Sequence, residues 1–112
     1  MAKSTTLTID GLSAVCVPLD DADFSDIAAI YIIICVAPDG SWTIIDIGQS
    51  GEVGTRIDSH DRRDCWKRKC PKGNLWVCVH PMPTKTYTKQ DRLDLEHSLR
   101  SKHSNPSTDT EI

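Results

Sequence analysis

With 112 residues the chain has room for one hydrophobic core, so it is a single domain and any site must be built on that core's surface. Charged residues make up 26% and apolar ones 38%, the latter in short runs, which excludes a disordered chain; the longest apolar run, Ala28 to Ala37, is too short to cross a bilayer. A net charge of -3 excludes a uniformly basic nucleic-acid binder, yet the charge is uneven: residues 1–30 carry Lys3 against five aspartates, whereas residues 56–72 carry seven Lys/Arg against three aspartates.

The first eleven residues lack the basic start and apolar stretch of a secretory signal, so the expectation is a cytoplasmic protein with no membrane contact. Residues 5–9 and 14–17 read as short strands joined by a turn at Gly11, and residues 20–26 as a loop or one helical turn. Residues 30–36, Ile-Tyr-Ile-Ile-Ile-Cys-Val, have the β-branched density of a buried strand. Pro38-Asp39-Gly40 supplies a turn, and residues 42–47 return as the partner strand of a hairpin. After Gly48, Ser50 offers a helix N-cap; from Glu52 onward, Val53 and Ile57 form an apolar stripe, and Arg56 and His60 share a neighbouring face. Residues 75–79 form a third apolar strand, closed by His80-Pro81-Met82-Pro83. Thr88-Lys-Gln-Asp91 has the form of a capping box that starts a last helix, running to about Lys102 before Asn105-Pro106. The expected fold is α/β of the α+β kind: a central three-stranded antiparallel sheet flanked by helices. An extra N-terminal hairpin or extension occupies residues 1–28, the main domain residues 29–106 and a frayed tail residues 107–112.

The five cysteines include no Cys-x-x-Cys pair, and Cys16, Cys35 and Cys78 sit in apolar strand-like runs; reduced thiols packed as small hydrophobes are the expectation. A zinc quartet of Cys65, Cys70, Cys78 and His80 is the alternative by ligand softness, although Cys-x4-Cys followed by Cys-x-His is an uncommon spacing. On the last helix Asp91, Asp94, His97, Ser98 and Ser101 form a polar arc, and Glu96 lies among Leu93, Leu95 and Leu99 on the other side. A core-facing carboxylate needs a partner. Either Arg92 and Arg100, at i−4 and i+4, pair with Glu96, or it binds a cation.

This order of hairpin, glycine turn, helix with Arg then His, strand, and helix with Glu resembles the GIY-YIG nuclease superfamily, from about Ala29 to Asn105. Ala29-Ile30-Tyr31 is similar to the first motif with alanine for glycine, and Asp46-Ile47-Gly48 stands where tyrosine-isoleucine-glycine is expected. Gln49-Ser50, Arg56 and His60 look like the stretch that follows, Arg92-Leu-Asp-Leu-Glu96 like the acidic helix motif, and Asn105 like the asparagine near the domain's end.

The resemblance implies a metal-dependent endonuclease acting on phosphodiester bonds, of DNA in the first instance, with one Mg²⁺ or Mn²⁺ held by Glu96. Such chemistry needs an activated water, neutralised charge at the phosphorus and help for the leaving oxygen. Arg56 is expected to bind the scissile phosphate, Tyr31 to act as or orient the general base, and His60 to move a proton or contact phosphate. Asp46 is the departure: an acid in place of a tyrosine hydroxyl either adds a metal ligand or proton acceptor, or repels phosphate. The second case leaves a catalytically degenerate domain that only binds nucleic acid or another protein. Arg62, Arg63, Lys67, Arg68 and Lys69, with Trp66 as a base-stacking or core-covering residue, form the expected nucleic-acid-binding segment. Specificity is expected to come from a targeting partner or a second copy of the chain.

Overall fold

A computed structural model describes residues 4–22, 24–58 and 63–103. Five strands, β1 (Thr5–Ile9), β2 (Leu12–Pro18), β3 (Ala29–Val36), β4 (Trp42–Ser50) and β5 (Asn74–Pro81), form one antiparallel sheet in the order β1-β2-β5-β3-β4. Three α-helices, α1 (Val53–Asp58), α2 (Arg63–Arg68) and α3 (Lys89–His103), flank it, so the α+β class holds among the described residues. The sheet is wider than the three strands expected. β5 inserts between β2 and β3, in register Cys16↔Cys78 on one side and Ile32↔Cys78 on the other, and so joins the N-terminal hairpin to the rest of the sheet.

The sheet is covered on both faces, which accounts for the unbroken apolar run of β3. Ile30, Ile32 and Ile34 point to one face, where they pack with Ile47 and with Leu99 of α3. Ala29, Tyr31 and Ile33 point to the other, against Val53 and Ile57 of α1 and Trp66 of α2. Side chains alternate along a strand, so an apolar run this dense requires cover on both sides.

Local chemistry sets the ends of the elements. Asp10 and Gly11, with φ of 51° and 81°, make the two-residue turn between β1 and β2, a left-handed pair suited to the twist of a hairpin. At the start of α3 the Thr88 hydroxyl accepts from Asp91 N at 3.1 Å while the Asp91 carboxylate accepts from Thr88 N at 2.8 Å, the reciprocal box that the sequence predicts. Asp91, Asp94, His97, Ser98 and Ser101 are exposed, as the helical wheel requires. The start of α1 is fastened from elsewhere: Asp26 accepts from Thr55 N and from the Thr55 hydroxyl, and these bonds hold its carboxyl below the usual carboxylate range.

The cysteines depart from the reduced state expected of them. Cys16 is bonded to Cys78, its directly opposite neighbour on β5, and Cys35 of β3 is bonded to Cys70, just past the end of α2. Sequence separations of 62 and 35 conceal both pairs. Cys65 alone keeps a free thiol, and with Cys70 and Cys78 engaged the zinc quartet does not form.

A Cys35→Ser/Cys70→Ser double variant is expected to lose about 3–4 kcal/mol of unfolding free energy, the chain-entropy value for a loop of this length. Urea unfolding of the oxidised parent and the variant measures it, and a difference under about 1 kcal/mol shows that the bond contributes little beyond the packing around it.

Candidate nucleic-acid and metal site on the edge strand

β4 is an edge strand whose pairing with β3 shifts between Ile33 and Ile34: Ile33 faces Asp46 and Ile34 faces Ile44, which leaves Ile45 unopposed. Such a bulge re-aims the side chains around it. Ile45 packs with the α1/α2 side of the sheet, and Asp46, next to it, meets α2 as well.

Gly48 faces Tyr31 across the β3–β4 ladder. A Cβ at position 48 would stand 2.2 Å from both the Tyr31 Cζ and its hydroxyl oxygen, so the phenol ring lies directly on the glycine. No other residue leaves this space free. Tyr31 is 1% exposed; the strand expected to present its hydroxyl to water instead buries it beneath α1 and α2.

Asp46 is likewise enclosed. Its Oδ2 accepts from Trp66 Nε1 at 2.8 Å, and its Oδ1 accepts from Ile47 N at 2.9 Å and from Arg100 Nη2 at 3.3 Å. The indole is 1% exposed, and a buried N–H without this acceptor would cost about 1–3 kcal/mol. Trp66 therefore covers the core and anchors Asp46; it does not offer its ring to a base. Arg56 lies exposed on α1, whereas His60 and Arg62 fall outside the described residues. On α2, Lys67 and Arg68 are exposed and Arg63 is half-buried, and Lys69, just past its end, is exposed too, so the basic residues expected to meet phosphate lie on and beside a short helix, in a stretch whose sequence pattern predicts no regular element.

From the opposite face, α3 sends three charged side chains along the same edge. Arg92 is buried, at 6% exposure, and donates from Nε to the Gln49 side-chain oxygen at 3.1 Å. Arg100 donates from Nη2 to the Ile47 carbonyl. Glu96 is one turn from each, midway along this contact, and so stands alongside the Ile47–Gln49 stretch. Its Oε2 is 3.5 Å from Arg100 Nε. Of the two arginines expected to flank it, Arg100 pairs with Glu96 and Arg92 turns to Gln49.

Glu96 suits a single hard cation better than Asp46 does. Among the described residues it accepts no hydrogen bond, its one ion pair uses Oε2, and its side chain is 17% exposed. Asp46 has both oxygens committed. No three His, Cys, Asp or Glu side chains converge among the described residues, so a cation here would have one carboxylate from the chain and would take its other oxygens from water and phosphate. A cavity of about 330 Å³ bordered by Lys67 and Cys70, and one of about 360 Å³ bordered by Gly51 and Lys85, include neither Tyr31 nor Glu96 in their walls.

Gly48→Ala is expected to destabilise the fold by about 1–3 kcal/mol through overpacking against Tyr31, and Tyr31→Leu is expected to remove most of that penalty in the double variant. Additive losses in chemical denaturation would show that the ring and the glycine do not depend on each other. Comparison with protein-family models, with curated proteins and with solved structures finds no match to this chain.

Proposed function

We propose that this chain is a GIY-YIG-like domain that docks on nucleic acid, DNA in the first instance, and cuts its phosphodiester backbone with the help of Mg²⁺ or Mn²⁺. One observation carries the reading: a single short stretch of the edge strand is met from opposite faces of the sheet, by Tyr31 seated on Gly48 and by α3, which carries Glu96 between the Arg92 bonded to Gln49 and the Arg100 bonded to Ile47. These are the tyrosine, glycine and glutamate that the sequence resemblance singles out. Arg56, exposed on the helix that follows this strand, supplies a guanidinium fork for a phosphate.

The bound cation would neutralise charge on the phosphate and lower the pKa of a coordinated water. Glu96 would hold it through its carboxylate, in exchange for the long contact from Arg100 Nε. Asp46 takes no part as ligand or base in this reading, because Trp66, Ile47 N and Arg100 already satisfy it; for the same reason its charge does not oppose an incoming phosphate. Lys67, Arg68 and Lys69 would lie along the backbone of the nucleic acid without reading its sequence.

A second reading, binding without cleavage, is favoured by the burial of Tyr31 and by the guanidinium already placed between the two carboxylates. A panel of linear, nicked and branched DNA with Mn²⁺ or Mg²⁺ separates the two. Cleavage that disappears in Glu96→Ala, with unfolding unchanged, supports the nuclease; binding with no product at any metal concentration supports the alternative, and cleavage retained by Glu96→Ala removes that residue from the chemistry. In either case replacing Lys67, Arg68 and Lys69 by alanine is expected to flatten the dependence of log affinity on log salt by about 0.9 for every phosphate that is no longer neutralised. An unchanged slope in a fluorescence-anisotropy titration would move the binding surface elsewhere.

A further inference from the structure

Arg100 touches Glu96 and Asp46 with different atoms. Its Nη2, at the tip of the guanidinium, meets Asp46 Oδ1 at 3.3 Å and the Ile47 carbonyl; its Nε, nearer the helix, meets Glu96 Oε2 at 3.5 Å. The tip contacts are two hydrogen bonds to β4, and the Asp46 side chain is 9% exposed. The Nε contact is longer than the 2.7–2.9 Å or so of a charge-assisted hydrogen bond, and it joins an arginine side chain 42% exposed to solvent with a glutamate at 17%. The side chain is thus anchored at its tip and only loosely paired partway along.

We propose that Arg100 is an internal counter-ion to Glu96 that sets the affinity of this carboxylate for a divalent cation, its tip staying on Asp46 and Ile47 while its Nε contact to Glu96 is exchanged for the ion. The inference rests on the reading of Glu96 as the metal-holding residue. It makes Arg100 a positioning residue. It also gives Asp46 a task that follows from where it stands: by retaining the guanidinium tip, it keeps the positive charge from following Glu96 into the site. Arg92, the other arginine one turn from Glu96, does not compete for this place, since its Nε is bonded to Gln49.

Lysine distinguishes this role from a general effect of charge. Arg100→Lys keeps the positive charge on a side chain one bond shorter, whose single ammonium has no second donor with which to span Glu96 and the Asp46–Ile47 pair at once. Binding of Mn²⁺ alone, followed by loss of the free-ion EPR signal, is expected to be about two- to fivefold tighter in Arg100→Lys than in the parent, the range set by a partly exposed ion pair. Arg100→Gln is expected to bind at least as tightly as the lysine variant, and Lys102→Gln, which removes an exposed charge from the same helix, to bind like the parent. Glu96→Gln should abolish binding in every background. If Glu96→Gln abolishes binding while Arg100→Lys and Arg100→Gln match the parent, the counter-ion role is wrong and the metal reading stands. If neither the parent nor either Arg100 variant binds Mn²⁺, the metal reading falls and the role of Arg100 with it; binding confined to the Arg100 variants would support the role in its strongest form. Thermal unfolding of each variant identifies those that are folded, and Arg100→Lys, which retains the positive charge, decides the matter should Arg100→Gln fail to fold.

Discussion

Two sides of the sheet meet at one carboxylate. Asp46 sits beside a bulge in the edge strand β4, and there it accepts from the indole of α2, from the backbone of its own strand and from a guanidinium that reaches over from α3. A charged group this enclosed is tolerated because donors from three directions replace the water it gives up. The exposed part of the ion pair with Arg100 adds little by itself, about 0–1 kcal/mol, but the hydrogen bond to buried Trp66 ties the position of α2 to that of β4. The stretch of β4 that carries Gly48, and the helix α3 that carries Glu96, are both tied to this junction.

That geometry sets the terms for any chemistry. Glycine at position 48 lets an aromatic ring lie flat on a strand, and the ring in turn fills the space under α1 that Val53 and Ile57 leave. Glu96 arrives from the opposite layer. A sheet covered on one face only would have no second helix to bring a carboxylate to the same edge, so the two-sided cover that makes β3 so apolar is also what brings two functional groups of different origin to one strand.

Much of this is legible in the residues. The β-branched density of residues 30–36, the turn at Pro38-Asp39-Gly40 and the reciprocal cap at Thr88 and Asp91 each reflect interactions between near neighbours, and each stands as expected. The polar arc of α3 follows from its period of 3.6 residues. What escapes depends on contacts across long stretches of chain. Nothing local to residues 74–81 says that this strand inserts between β2 and β3, and without that order the pairing of Cys16 with Cys78 cannot be anticipated. The same is true of Trp66 and Asp46, twenty residues apart, and of Arg92 and Gln49. Basic neighbours in sequence make the indole look like a base-stacking group; burial of α2 on the sheet, not its composition, decides where the ring points. Glu96 stands out in sequence as a carboxylate in need of a partner, and one of the two arginines within reach on its helix does pair with it.

The guanidinium tip on the Ile47 carbonyl also bears on the edge of the sheet. The outer strand of an open sheet presents unsatisfied backbone groups that invite a strand from another molecule, and long apolar edges are where proteins stick to one another. Here a bulge interrupts the regular spacing of those groups and a cation on a helix fills one of them. Side by side, they make this border a poor template for recruiting a neighbour.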